Sequence, residues 1–123
     1  MKHILVVDDE ESIRQSLEGI LKDEGFKTTF AANGAQCLQM VNTEDPDLIL
    51  LDIWMPGIDG LETLKKIKQT RPQQLVVMMS GHGTIETAIK ATRLGAFDFI
   101  EKPLSLEKVL LSVNNALDYY KLE

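Results

Sequence analysis

Five short strand-like runs, each followed by a helical pattern, constrain this chain more than any other feature. Ile4-Leu5-Val6-Val7 shows no polar alternation, as expected of a strand buried on both faces. It ends at the acids Asp8 to Glu11, and Ile13, Leu17, Ile20 and Leu21 follow at helical spacing up to Gly25. Phe26 to Ala31 is a weaker, more polar strand, suited to a sheet edge. Asn33-Gly34 opens a helix carrying Leu38 and Val41, which ends before Asp45-Pro46. Leu48-Ile49-Leu50-Leu51 is the third run, and it stops at Asp52. After Met55-Pro56-Gly57, Asp59 and Glu62 have capping-box spacing ahead of Leu61, Leu64 and Ile67, and Arg71-Pro72 closes that helix.

Leu75 to Met79 is the fourth strand, ending at Ser80-Gly81-His82-Gly83. Thr84 is placed to cap a helix with Ile85, Ala88, Ile89 and Thr92 on one face, stopped by Gly95. Phe97 to Ile100 is the fifth strand, followed by Lys102-Pro103. Ser105 caps a last helix, with Leu106, Val109, Leu110, Val113 and Leu117 expected inward. Five strand–helix pairs imply a parallel sheet covered by helices on both faces, in one α/β domain. Alternation alone does not order the strands. In such a sheet, ligands bind at the carboxyl ends of strands, at the switch point of the topology.

Unusual polar residues sit at those ends. Asp8 and Asp9 follow the first run, Asp52 the third, Ser80 the fourth and Lys102 the fifth. Taken singly, each has a plain explanation: an acidic helix first turn, a turn aspartate, a lysine before proline. Their common position is what carries weight. If strands one and three are neighbours, three carboxylates converge, and like charges that close need a cation. Mg²⁺ suits a few carboxylates with water and phosphate oxygens. An open metal site facing a hydroxyl and an ammonium group suits a phosphoryl group, with Asp52 the best candidate for a nucleophile that forms an acyl phosphate.

These segments, together with Leu50-Leu51-Asp52-Ile53-Trp54-Met55-Pro56-Gly57-Ile58-Asp59-Gly60 and Gly95-Ala96-Phe97-Asp98-Phe99-Ile100-Glu101-Lys102-Pro103, resemble the receiver domain of bacterial two-component response regulators over essentially the whole chain, 1–123. The resemblance implies a flavodoxin-like, CheY-like doubly wound sheet of five strands in the order 2-1-3-4-5, with five helices. It implies that Asp52 takes a phosphoryl group from a sensor histidine kinase. Asp8, Asp9, Asp52 and the Trp54 carbonyl would hold Mg²⁺ or Mn²⁺. Ser80 resembles the switch hydroxyl, Lys102 the lysine that contacts the phosphoryl group, and Phe99 the switch aromatic, here without the hydroxyl of the frequent tyrosine. Trp54 and His82 resemble positions that tune acyl-phosphate lifetime. The Lys102-Pro103 bond resembles one that is cis in the family.

Ser80 to Ala88 with Phe97 to Leu104 is most similar to receivers of NtrC-type regulators, including the NtrX subgroup. That likeness implies an ATPase domain acting on the alternative sigma factor and a DNA-binding domain beyond Glu123, so the chain is expected to be the amino-terminal part of a longer regulator. Phosphorylation would repack the surface of helix four, strand five and helix five, where a homodimer could form. The alternative is a phosphohydrolase with an aspartyl-phosphate intermediate. Against it stand Trp54, where such enzymes carry a second acid, and the lack of a cap domain.

Composition removes other classes. With 19 acids against 13 basic residues the net charge is −6, which disfavours direct nucleic-acid binding by this chain. A single cysteine, Cys37, excludes an internal disulfide and a zinc cluster. No apolar run approaches the length needed to span a bilayer, so a cytoplasmic domain is expected. Gly81-His82-Gly83 lacks the third glycine of a dinucleotide loop, since position 86 is glutamate. His3 is expected to be structural.

Overall fold

The computed structural model describes residues 1–81 and 84–122. Its elements are β1 (His3–Val7), α1 (Glu11–Asp23), β2 (Lys27–Ala31), α2 (Gly34–Glu44), β3 (Leu48–Asp52), α3 (Gly60–Thr70), β4 (Leu75–Ser80), α4 (Ile85–Arg93), β5 (Asp98–Glu101) and α5 (Leu106–Asp118), then a 3₁₀ turn (Tyr119–Leu122). The five strands are parallel, in the order β2-β1-β3-β4-β5. Every residue of β1, β3 and β4 is buried, which is why these runs lack alternation. The more polar β2 lies at an edge.

The pleat divides the core between two faces. Leu5, Val7, Ile49, Leu51, Val76 and Met78 meet Cys37 and Val41 of α2, Leu64 and Ile67 of α3, and Ala91 of α4. Ile4, Val6, Leu48, Leu50, Val77 and Met79 meet Leu17 and Leu21 of α1 and Val109, Val113 and Ala116 of α5. Four helix starts are capped as the short polar residues before them suggest. Asn33, Asp59, Thr84 and Ser105 accept from the backbone N–H groups of Gln36, Glu62, Thr87 and Lys108. Gly25 and Gly95 end α1 and α4 at φ +84° and +105°, which only glycine adopts without strain. Cys37 is fully buried, and that burial pushes its thiol to about 12. His3 is structural: its ring nitrogen pairs with the Thr29 hydroxyl at 2.7 Å.

The structure fixes which face of α4 packs, and on α5 it differs from the inward positions expected. On α4, Ile85 is 81% and Ile89 47% exposed, and Thr92 is exposed too, while Ala91 is fully buried. The face carrying Ile85, Ile89 and Thr92 is therefore turned to solvent, and Ala91 marks the packed one. On α5, Leu106 is 55% exposed, and Ser112 takes an inward position instead, donating to Asp98 Oδ2 at 2.7 Å. Ala91→Leu is therefore expected to overpack the α4 contact and cost about 1–3 kcal/mol. Ile89→Lys should stay within about 0.5 kcal/mol of the parent, as surface changes do. Urea denaturation of both variants checks this, and the reverse ranking would make the Ile89 face the packed one.

The strand order sets the site. The chain runs outward from β1 to β2, then returns across β1 to β3. This reversal places the carboxyl ends of β1 and β3 side by side. Val7 pairs with Leu51, so the residues that follow, Asp8 and Asp52, emerge as neighbours. Asp52 in turn pairs with Met79, and Ser80 with Glu101, which brings the ends of β4 and β5 to the same crevice.

Candidate functional site

Asp8, Asp9 and Asp52 each offer a carboxylate oxygen within 4.8 Å of the others. Asp8 is fully buried, Asp52 nearly so, and Asp9 is exposed. The Asp8 side chain turns back to accept from the Glu10 N–H at 3.0 Å, which folds the acidic turn over the end of β1. Lys102 reaches in from just past β5. Its Nζ donates to Asp8 Oδ2 at 2.8 Å and lies 3.5 Å from Asp52 Oδ1. Its own N–H donates to the Ser80 carbonyl at 2.8 Å, tying the end of β4 to the lysine. The Lys102–Pro103 peptide bond is cis.

Three carboxylates thus face one ammonium group. Burial raises the Asp52 carboxyl, the Asp8 and Asp9 charges raise it further, and Lys102 only partly offsets them. The result is a pKa of about 6. Burial disfavours the Lys102 ammonium, but the hydrogen bond to Asp8 and the fields of Asp52 and Asp8 outweigh it and raise that group above its ordinary value. Hard oxygen donors, close spacing and an excess of negative charge are what a Mg²⁺ site requires, so the residues fit that ion.

The cleft over these groups has a volume of about 220 Å³ and is lined by Asp9, Glu10, Asp52, Trp54, Gly81 and Lys102. Trp54 is 52% exposed on its rim. Ser80 is fully buried at the end of β4, and Phe99 is half-buried on β5 against the core shared by α3 and α4. His82 lies outside the described residues. Arg14 was not singled out by the sequence, yet its guanidinium donates to the Asp8 carbonyl at 2.6 Å. It stands one turn into α1, where an arginine looks like any solvated helix charge. A larger cavity, about 460 Å³, opens at the opposite pole beside Lys2, Asp47, Arg71 and Tyr120, and it contains none of these residues.

A doubly wound sheet with carboxylates at its switch point and a lysine across from them defines an α/β domain built to hold a phosphoryl group or a metal at its strand ends. The chain matches the family described as the response regulator receiver domain over residues 4–114, and it belongs to that family. It is 45% identical over 121 residues to the nitrogen assimilation regulatory protein NtrX of Azorhizobium caulinodans, covering 97% of this chain and 27% of that protein. It is 40% identical over 118 residues to the DNA-binding transcriptional regulator NtrC of Escherichia coli K12, covering 96% of this chain and 25% of that one. The chain therefore spans about a quarter of the length of these relatives.

The crystal structure of NtrX from Brucella abortus superposes with a TM-score of 0.92 at 48% identity, over 98% of this chain and 28% of that one. A CheY-like receiver from Methanospirillum hungatei matches at 0.94 and 31% identity, over 98% and 97% of the two chains. The fold is the flavodoxin-like one, and the domain is a signalling receiver of the NtrC/NtrX type. Among the described residues no helix is long and apolar enough to cross a membrane.

Proposed function

We propose that Asp52 is the acceptor of a phosphoryl group delivered by the phosphohistidine of a sensor histidine kinase. The observation that carries this is the Asp52 carboxylate itself, buried at the end of β3 with Lys102 at 3.5 Å and two further carboxylates beside it. In the transfer an ionised Asp52 oxygen forms a bond to phosphorus. The phosphorus–nitrogen bond of the donor breaks, its electron pair stays on the imidazole, and solvent protonates that ring. Asp8, Asp9, Asp52 and the Trp54 carbonyl would hold Mg²⁺, or Mn²⁺ in its place, which would supply charge neutralisation at the phosphoryl oxygens. Lys102 exchanges its contact with Asp8 for a phosphoryl oxygen, and the Ser80 hydroxyl donates to another.

Phe99 follows Ser80 inward. The surface of α4, β5 and α5 then changes its packing, a population shift between two arrangements. The exposed Ile85, Ile89 and Leu111 on that surface support its use in a homodimer. Trp54 shields the acyl phosphate from water at the rim, and His82 has the companion role. In the full-length regulator an ATPase domain and a DNA-binding domain carry the output to transcription in the cytoplasm. The receiver is a switch rather than an enzyme, and its net charge of −6 disfavours direct nucleic-acid binding.

Incubation with acetyl phosphate and Mg²⁺ tests this reading by intact mass. A single phosphoryl adduct per chain, absent when EDTA replaces Mg²⁺, is expected. Steady release of many equivalents of phosphate from simple phosphoesters would instead identify an aspartyl-phosphate hydrolase.

A further inference from the structure

We propose that Gly60 is a positioning residue for the phosphoacceptor. Its missing side chain lets the start of α3 lie against the Asp52 carbonyl, and that contact sets the aim of the Asp52 carboxylate and of the Trp54 carbonyl. The inference rests on the reading of Asp52 as acceptor. A Cβ at Gly60 would fall 2.6 Å from Ile53 Cα and 2.9 Å from the Asp52 carbonyl carbon, and closer still to the Asp52 oxygen. All of these are backbone atoms, so no flexible side chain can give way.

The end of β3 is gripped from both sides. Ile53 donates to the Met79 carbonyl of β4 at 3.0 Å and accepts from the Gly60 N–H at 2.7 Å. The helix behind Gly60 is also braced. The buried Thr63 hydroxyl donates to the Asp59 carbonyl at 2.9 Å. Gly34 at the start of α2 abuts that hydroxyl so closely that a Cβ there would overlap it, and would also lie 3.1 Å from the Ile58 carbonyl. Leu64 and Ile67 anchor the same helix in the core. With α3 braced, an added methyl group at Gly60 displaces the Asp52–Ile53 peptide. Turning that peptide re-aims the Asp52 Cα–Cβ bond and moves the carbonyl of Trp54 two residues on.

The test compares Gly60→Ala with the parent and with Leu64→Ala, a cavity variant of the same helix whose side chain lies in the core. In metal-free amide spectra the resonances of Ile53 and Trp54 are expected to shift in Gly60→Ala and to stay in place in Leu64→Ala. By calorimetry Mg²⁺ binding should weaken about tenfold or more in Gly60→Ala, the range seen when support around a metal ligand is lost. The initial rate of labelling by acetyl phosphate at saturating Mg²⁺ should fall by about 10- to 100-fold, as misplacement on this scale does elsewhere.

Gly60→Ala behaving within about twofold of the parent on both readouts overturns the proposal, and so does an equal loss in Leu64→Ala, since general helix stability then governs the site. If Gly60→Ala does not fold, Thr63→Val decides. Loss of its one hydrogen bond loosens the Asp59–Gly60 turn and should weaken Mg²⁺ binding by about threefold or more. Unchanged affinity there overturns the proposal. A parent domain that binds Mg²⁺ but takes no label refutes Asp52 as acceptor, while the amide shifts and Mg²⁺ affinities still decide the role of Gly60.

Discussion

Lys102→Ala is expected to destabilise the metal-free domain by about 3–5 kcal/mol, and Mg²⁺ should restore most of that loss. The Lys102 ammonium lies 2.8 Å from Asp8 and 3.5 Å from Asp52, and the Asp8 side chain is fully buried. Only 14% of the lysine side chain is exposed, so solvent screens the pair weakly. Without the lysine two buried carboxylates face each other and Asp9 with no cation among them. Mg²⁺ taken up by the carboxylates of the folded site would substitute for the lost charge and add stability by mass action. The Arg71–Asp45 pair is the contrast, because Asp45 is 77% exposed there, and Asp45→Asn should change stability by less than about 1 kcal/mol. Urea unfolding in EDTA and in Mg²⁺ measures each term. A Lys102→Ala loss that is the same in both conditions would mean that the lysine acts through packing and not through charge.

What was readable in the sequence follows from how local each feature is. The three central strands announce themselves because burial on both faces removes all polar residues from Leu5 to Val7, Ile49 to Leu51 and Val76 to Met79. The edge position of β2 is legible for the converse reason. Strand order is set by hydrogen bonds between distant segments, and alternation is silent on it. It came from the likeness of the ordered motifs to a known family. Which face of α4 is buried is not legible from side-chain size, because Ala91 packs into the core while the larger Ile85 and Ile89 are exposed. At the site, the residue types and their place at strand ends were legible. The pairing of Lys102 with Asp8, 94 residues apart, was not, and although converging carboxylates are expected to raise one another, the leading cause of the rise at Asp52, its burial, depends on the assembled fold. The close approach at Gly60 is not legible either, because the atoms it makes room for belong to the backbone of a different element.

The other large effect concerns Asp52→Asn, which is expected to abolish labelling by acetyl phosphate and at the same time to stabilise the metal-free domain at neutral pH. The carboxyl stands at about 6 in the fold against an ordinary 3.8. Below about pH 4 the acid is protonated in both folded and unfolded chains, and the buried site exacts no penalty. As the pH rises from about 4 to about 6, the unfolded chain ionises first and holds fewer protons than the fold, so stability falls. Above about 6 the full penalty applies, on the order of 3 kcal/mol at about 1.36 kcal/mol per unit. A neutral asparagine escapes it. Asp52→Asn should therefore match the parent near pH 4 and exceed it by about 2–3 kcal/mol near pH 7 in EDTA. Mg²⁺ should narrow or reverse that difference, because it favours the ionised carboxylate that asparagine lacks. Undiminished labelling of Asp52→Asn moves the acceptor to another side chain. A stability gain that does not vary with pH would mean that the buried carboxylate is not what strains the metal-free site.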